Sequence, residues 1–238
     1  MNGLTPSCLD DFIYSNQLER DTLDLILSRK LSFPCVGKSG ILFHGAWGTG
    51  KSTLAGVMPC LIETAYSGNW DLAKGVGQMP MTDPMEVQTI VFNCGGGLNT
   101  TSICNTIKSC NGRSQIGHYT RHDYFLFDEV DKLTVGAQQS LKSVMDLKRC
   151  MFFFTTNYLH KVDAGIINRC YLVEMNQGKD PNAYLTIANN VLTNMGLTKT
   201  TLDEATILAL ANKAQGSMRN FVTDLAIDGL KAGGVMPK

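Results

Sequence analysis

Short apolar runs separated by polar, helix-like stretches set the pattern of this chain. Tyr124-Phe125-Leu126-Phe127 and Met151-Phe152-Phe153-Phe154 are continuous apolar runs. Runs of this length mark strands buried on both faces of a parallel sheet. Ile41-Leu42-Phe43-His44 reads as a buried strand, and the β-branched and aromatic Thr89-Ile90-Val91-Phe92 as another. Tyr171-Leu172-Val173 is a shorter candidate of the buried kind. Helical periodicity fills the intervals. Leu18, Thr22, Leu23, Ile26 and Leu27 fall on one stripe within residues 9–30, and Pro34 closes that helix by disfavouring a helical Phe33. Ser52 to Met58 is helix-like, with a kink or stop expected at Pro59, which cannot donate to the Ala55 carbonyl. Further helices are expected over Thr101–Ser109, ended by Asn111-Gly112, and over Ala137–Leu147 with Leu141, Val144 and Met145 on one face.

Strand and helix thus alternate five times, which predicts an open, doubly wound α/β sheet with its ligand at the carboxyl ends of the strands. After Glu174 the strand pattern stops. Three helical stretches follow: Asn182–Asn194 behind Asp180-Pro181, Leu202–Ala214 behind a capping box from Thr201 to Glu204, and Met218–Leu230 after Gly216-Ser217. A domain boundary is expected near Gln177-Gly178, dividing an α/β domain (1–176) from a helical domain (177–238). Residues 66–86, rich in Gly, Pro, Met and Asp, read as an irregular insertion, and Asn93 to Gly97 as a turn.

Composition narrows this picture. With 238 residues and 44% hydrophobic content the chain can bury a sizeable core. Lys plus Arg and Asp plus Glu both count 21, so no basic coat advertises nucleic acid, although a ring can line a channel with few cations per subunit. No run approaches the roughly 18 apolar residues of a membrane span, and Met1 to Pro6 lacks the charged start and apolar stretch of a signal peptide. No membrane partner is expected. Eight cysteines occur with no C-x-x-C spacing, which argues against zinc and for small core hydrophobes in a reducing, intracellular, cytoplasmic setting.

Candidate chemistry is concentrated in three strand-end motifs. Gly45-Ala46-Trp47-Gly48-Thr49-Gly50-Lys51-Ser52, followed by Thr53, matches G-x-x-x-x-G-K-[ST] between a strand and a helix. Backbone N–H groups and the helix N-terminus of such a loop cradle a polyphosphate; Lys51 would reach the outer phosphates and Ser52 would supply a hydroxyl to Mg²⁺. The alternative is a Gly-rich turn that ends in Lys-Ser. Phe125-Leu126-Phe127-Asp128-Glu129 is an apolar strand ending in two acids. Asp128 would hold the metal through its water shell and Glu129 would polarise an attacking water; otherwise the pair are solvated acids capping a strand. Phe154-Thr155-Thr156-Asn157 ends a strand expected between the other two, where Asn157 would hydrogen-bond a γ-phosphate or lytic water; by itself Thr-Thr-Asn would be only a turn.

The order GAWGTGKS, FLFDE, FFTTN, Asn168-Arg169-Cys170 and Gly216-Ser217-Met218-Arg219 resembles AAA+ ATPases. More narrowly it is similar to the small subunits of sliding-clamp loaders of the replication factor C type. Leu9-Asp10-Asp11-Phe12-Ile13, Asp128 to Leu133 and Gly136 to Leu141 carry that likeness, which extends over roughly residues 6–231. The resemblance implies a P-loop AAA+ αβα sandwich with a five-stranded parallel sheet and a three-helix lid, using ATP and Mg²⁺. It implies that Arg169 is an arginine finger acting on a neighbouring subunit's nucleotide, that Arg219 is a second sensor, and that Asn93 is a switch restraining Glu129. The bare alternatives are that Arg169 snorkels at a strand start and Arg219 caps a helix. The family's Tyr-Arg-Pro is replaced by Leu4-Thr5-Pro6, so adenine contacts are expected to be backbone and apolar, around Phe12 and Ile13. The family continues into a helical collar, whereas this sequence ends at Lys238, implying different assembly, a partner-supplied collar or a shortened chain.

The resulting expectation is an ATP-hydrolysing DNA-replication protein, clamp-loader-like, forming a homo- or hetero-oligomeric AAA+ ring. Its partners would be primer-template or single-stranded DNA and a sliding clamp or other replication protein, with Lys108 and Arg113 able to face the DNA. A hexameric viral or plasmid helicase, or a helicase loader, is the alternative, and a virus-encoded origin belongs to that reading. A non-hydrolysing ATP-binding scaffold is a third reading.

Overall fold

The computed structural model describes residues 6, 8–35, 37–67, 87–96, 100–110, 118–176, 180–198 and 201–233. The expected boundary at Gln177-Gly178, most of the 66–86 insertion, Asn111-Gly112 and Arg113 lie outside those residues. Five strands form one parallel sheet: β1 (Gly40–His44), β2 (Thr89–Asn93), β3 (Asp123–Asp128), β4 (Cys150–Thr156) and β5 (Cys170–Glu174), in the order β2-β3-β4-β1-β5. The register pairs Leu42 with Phe154 and Leu172, and Asn93 with Asp128. All strand ends that carry the motifs therefore lie along one edge, and β4 stands between β1 and β3 as the motif order requires.

Side chains alternate across the sheet because successive Cβ atoms of a strand point to opposite faces. Ile41, Phe43, Tyr124, Leu126, Met151 and Phe153 pack with α1 (Gln17–Leu27) and α2 (Lys51–Tyr66). Leu42, Phe125, Phe127, Phe152 and Phe154 pack with α3 (Thr100–Cys110), α4 (Val135–Met145) and α5 (Ala164–Asn168). Cys94, Cys110, Cys150 and Cys170 belong to this second layer. Helices on both faces explain why β3 and β4 carry no polar face; each fully buried Phe contributes about 1.5–3 kcal/mol by area removed from water. Beyond β5, α6 (Pro181–Asn194), α7 (Glu204–Ala214) and α8 (Met218–Ala232) surround a third cluster centred on Tyr184, Ile187, Leu210, Phe221 and Leu225.

Several local expectations change. Helix α2 does not stop at Pro59 but runs to Tyr66. Proline removes one backbone bond and disfavours the helix by about 3 kcal/mol. The second half of α2 buries Cys60, Leu61, Ile62 and Ala65, which outweighs that cost. Its end is further anchored by buried Glu63, which accepts from the Thr120 hydroxyl at 2.6 Å and from the Tyr124 hydroxyl. Strand β5 is an edge strand with Leu172 exposed, rather than one buried on both faces. In α1, Leu23, Ile26 and Leu27 are buried but Leu18 faces solvent, one turn before the helix meets the core. Helix α7 is capped by Asp203, which accepts from Thr206 N at 2.9 Å; Thr201 lies outside the helix, its hydroxyl 3.1 Å from that of Thr198.

Candidate functional site

Three of the strand ends, those of β1, β3 and β4, converge on one cavity of about 590 Å³. Its floor is the turn from β1 into α2. Gly45 has φ +138° and lies so close to the Met175 carbonyl that a Cβ there would be 2.3 Å from its oxygen. Gly48 has φ +76°, and a Cβ would meet Ser217 Oγ at 2.6 Å. Left-handed backbone with a second segment this close excludes other residues at both positions. The turn is held from below by Asn176, whose Oδ1 accepts from Ala46 N at 2.8 Å and whose Nδ2 donates to Glu174 at 2.6 Å. Nothing in the sequence singled out Asn176.

Lys51, 6% exposed, turns its ammonium back onto the loop. It donates to the Gly45 carbonyl at 3.1 Å, to the Ala46 carbonyl and to Thr49 Oγ1 at 3.4 Å. Burial pushes its pKa down to about 8, opposed by the nearby Asp128 and Asp131 carboxylates, so it stays charged at neutral pH. Thr49 locks the loop further by donating to the Ala46 carbonyl at 3.0 Å. Gly50 packs against Phe12, and Ser52 and Thr53 open the first turn of α2 at the cavity wall. Trp47 is exposed and meets Tyr158 edge-to-face at 5.5 Å between ring centroids.

The acids of β3 are joined to this turn directly. Ser52 Oγ donates to Asp128 Oδ1 at 2.6 Å. Thr155 Oγ1, on β4, donates to the same Asp128 oxygen at 2.6 Å and accepts from the Glu129 amide at 3.0 Å. Glu129 follows the strand in left-handed backbone, φ 57° and ψ 52°, which is uncommon for a residue with a side chain. Asp128, Glu129, Thr155 and Asn157 line the same cavity as the loop. The next threonine, Thr156, donates to Asp131 at 2.6 Å and so fixes the turn after the acids. Behind them Cys94 is pushed up to about 12 by burial, with the acids adding to it, which leaves a core thiol rather than a nucleophile.

The helical segment closes the opposite wall. The Arg219 amide donates to the Gly48 carbonyl at 3.2 Å, tying the start of α8 to the loop, and Arg219 lines the cavity. From α6, Asn190 reaches across to donate to Asp11 at 2.9 Å beside Phe12. Ile13 is buried with Tyr184, Ile187 and Phe221 in the helical cluster, whose Ile187 also lines the cavity. Phe12 is extended, φ −120° and ψ 152°, so the next side chain points to the other side. Phe12 faces the cavity and Ile13 the helices.

Arg169 stands apart. It precedes β5, and its carbonyl accepts from the amides of Ser39 and Gly40 at the start of β1. The loop lies at the far end of that five-residue strand, about 13 Å away at about 3.3 Å per residue. Its guanidinium grips Asp146 with two 2.9 Å hydrogen bonds and donates to the Gly165 carbonyl at 3.1 Å. These bonds hold the Asp146 carboxyl below the usual carboxylate range. Asn93 ends β2 exposed and in register with Asp128. The Glu129 carboxylate reaches toward that end of the sheet: a Cβ on Gly95 would lie 3.3 Å from its Oε2. Lys108 is exposed on the last turn of α3.

Comparison with known proteins fits this geometry. No family model matches the chain. A stretch of 123 residues, 51% of the chain, is 27% identical to replication factor C subunit 4 of Schizosaccharomyces pombe and covers 35% of that protein. Over 132 residues, 55% of the chain, it is 26% identical to replication factor C small subunit 1 of Pyrobaculum islandicum, covering 34% of it. The matched segment thus spans 34–35% of the length of these curated relatives. Among solved structures, the Thermotoga maritima RuvB Holliday junction branch migration motor superposes with a TM-score of 0.63 at 16% identity, covering 97% of this chain and 73% of that one. A point variant of the same protein gives 0.64 at 14% identity. The resemblance to replication factor C small subunits read from the motifs is met by these sequence matches. The fold is the P-loop αβα sandwich of the AAA+ type, followed by three helices.

Proposed function

We propose that this chain is a Mg²⁺-dependent AAA+ ATPase that acts on DNA as an oligomer, in the manner of a clamp-loader subunit. The observation that carries this reading is the hydrogen-bonded chain Ser52–Asp128–Thr155–Glu129, which joins the phosphate loop to a strand-tip acid pair inside one cavity. A bare anion site would need the loop and helix N-terminus but not a strand-tip carboxylate hydrogen-bonded to the first turn of that helix.

The residues fit ATP and its metal. The left-handed glycines, the Lys51 ammonium and the start of 16-residue α2 suit a polyphosphate, with Thr53 at the same helix start. Phe12, Ile187 and Val191 offer apolar walls for a base at the seam between the sheet and residues 177–238, which form the lid in this reading. Ser52 and Asp128 would hold Mg²⁺, which when bound would supply positive charge to offset the charge that develops on the phosphoryl group. Glu129 takes the proton side of the reaction: its carboxylate orients and polarises the water that attacks the terminal phosphate. Asn157 donates to the γ-phosphate or that water, and Arg219 brings a permanent positive charge from α8 to the same group. Asn93 restrains Glu129 until a ligand binds.

Arg169 acts on the neighbouring subunit's nucleotide. Its distance from its own loop supports this, since an Arg side chain cannot span the length of β1. Such a finger contributes about 10³–10⁵ in rate. Engagement requires exchanging Asp146 for phosphate oxygens. That exchange is cheap because the pair is exposed, Asp146 being 60% accessible.

Action on DNA is supported by the names of the relatives: replication factor C subunits and a Holliday junction branch migration motor. Lys108 is the described cation assigned to that contact; Arg113 is the second. No described helix is long and apolar enough to cross a membrane. Steady-state ATP turnover, with and without primed DNA, tests the reading. Wild type turns over ATP and is stimulated by DNA, while Glu129→Gln binds ATP and loses about 10²–10⁴ in turnover. Equal turnover in the two proteins overturns the assignment. ATP binding without turnover in wild type gives the scaffold, and strand displacement by the protein alone gives the helicase.

A further inference from the structure

We infer that Thr155 is the positioning residue that sets both acids of the site, through a hydroxyl that serves Asp128 and Glu129 at once. Its surroundings raise the question. Thr155 is 2% exposed, near the end of a strand whose preceding four residues, Met151 to Phe154, are all apolar and fully buried. Valine has the same shape, suits a buried strand as well, and would bring no polar atom. A buried hydroxyl needs partners, and it has one proton to give and two lone pairs. Thr155 gives its proton to Asp128 Oδ1 at 2.6 Å and accepts from the Glu129 amide at 3.0 Å. Both partners are motif acids.

Each bond has a distinct consequence. Asp128 Oδ1 also accepts from Ser52 at 2.6 Å, so two hydroxyls converge on one carboxylate oxygen and fix the rotation of the group. Its second oxygen is thereby aimed rather than free to swing. The Glu129 amide bond acts on backbone. Residue 129 has φ 57° with its carboxylate toward Gly95, and the Thr155 hydroxyl holds its amide at 3.0 Å. Because β4 lies between β1 and β3, the same side chain couples the strand carrying Asn157 to the strand carrying the acids. Thr155 thus acts through Asp128 and Glu129 rather than on substrate.

This inference rests on the ATPase reading, so its test carries one readout independent of turnover. Thr155→Val preserves shape and removes the hydroxyl; Thr155→Ser keeps it. Amide hydrogen exchange at Glu129 is expected to rise about tenfold in Thr155→Val relative to the Lys132 amide, and to return in Thr155→Ser. In turnover assays Thr155→Val is expected to lower kcat about 10–100-fold and raise the Mg²⁺ half-saturation, leaving KM for ATP within about threefold, with Thr155→Ser near wild type. Unchanged Glu129 exchange in Thr155→Val overturns the inference, as does equal loss of kcat in both variants, which would assign the residue to packing. If wild type hydrolyses no ATP, the ATPase reading fails by itself, while the exchange result still decides whether Thr155 holds Glu129.

Discussion

Asp128 shows how much of this site is decided by single atoms. One of its oxygens receives the hydroxyls of both Ser52 and Thr155, which come from α2 and β4. Removing either donor leaves a carboxylate less well held, and a hydrogen bond to a charged group contributes about 1.5–3 kcal/mol. Ser52→Ala is therefore expected to raise the Mg²⁺ concentration needed for half-maximal turnover while leaving Glu129 exchange unchanged; an unaltered Mg²⁺ titration would count against Ser52 and Asp128 as metal residues. At this scale the pattern shows where a residue type announces itself: Gly45, Gly50, Lys51 and Ser52 stand out by spacing, and Asp128 and Glu129 by ending an apolar run. Thr155 sits inside Thr-Thr-Asn, where the strand-tip position points to Asn157 as the sensor candidate. The available signal was a hydroxyl at the end of an apolar run, which must find a partner.

Elements were legible where periodicity and burial agree. Strands β3 and β4 follow directly from their apolar runs. Helix α2 is different: Pro59 argues locally for an end, and tertiary burial of Leu61, Ile62 and Ala65 carries the helix past it. The edge status of β5 depends on strand order, which no local pattern carries. The start of α7 is a competition between two caps, Thr201 and Asp203, and Asp203 is better placed because its carboxylate reaches Thr206 N. Asp203→Ala is expected to lower the melting temperature and Thr201→Ala to leave it nearly unchanged; the reverse order would restore the earlier helix start. Helix α8 links packing to the site. Phe221 is fully buried against Tyr184 at 5.3 Å between centroids, and the same helix begins at the Arg219 amide bonded to Gly48. Phe221→Ala is expected to cost about 3–5 kcal/mol in denaturant unfolding and to weaken nucleotide binding as well. Full nucleotide affinity in a destabilised Phe221→Ala would show that the helical segment is not part of the site.

At the scale of the whole molecule, the sheet separates two groups of residues along the length of its strands. One edge carries the loop, the acids and Asn157; the other carries Arg169 at the start of β5. Spacing in the sequence does not state which end of a strand carries Arg169; the resemblance alone assigned it a role between subunits. In the proposed function each site is completed by the Arg169 of another copy. Mixing two inactive proteins tests it most directly. Lys51→Ala lacks its own phosphate contact but retains its finger, and Arg169→Ala retains its loop but lacks the finger. Each alone is expected to show little ATP turnover, and the mixture to regain part of the wild-type rate, rising to a maximum at intermediate ratios. No recovery at any ratio, with both variants folded and wild type active, would contradict a site shared between subunits.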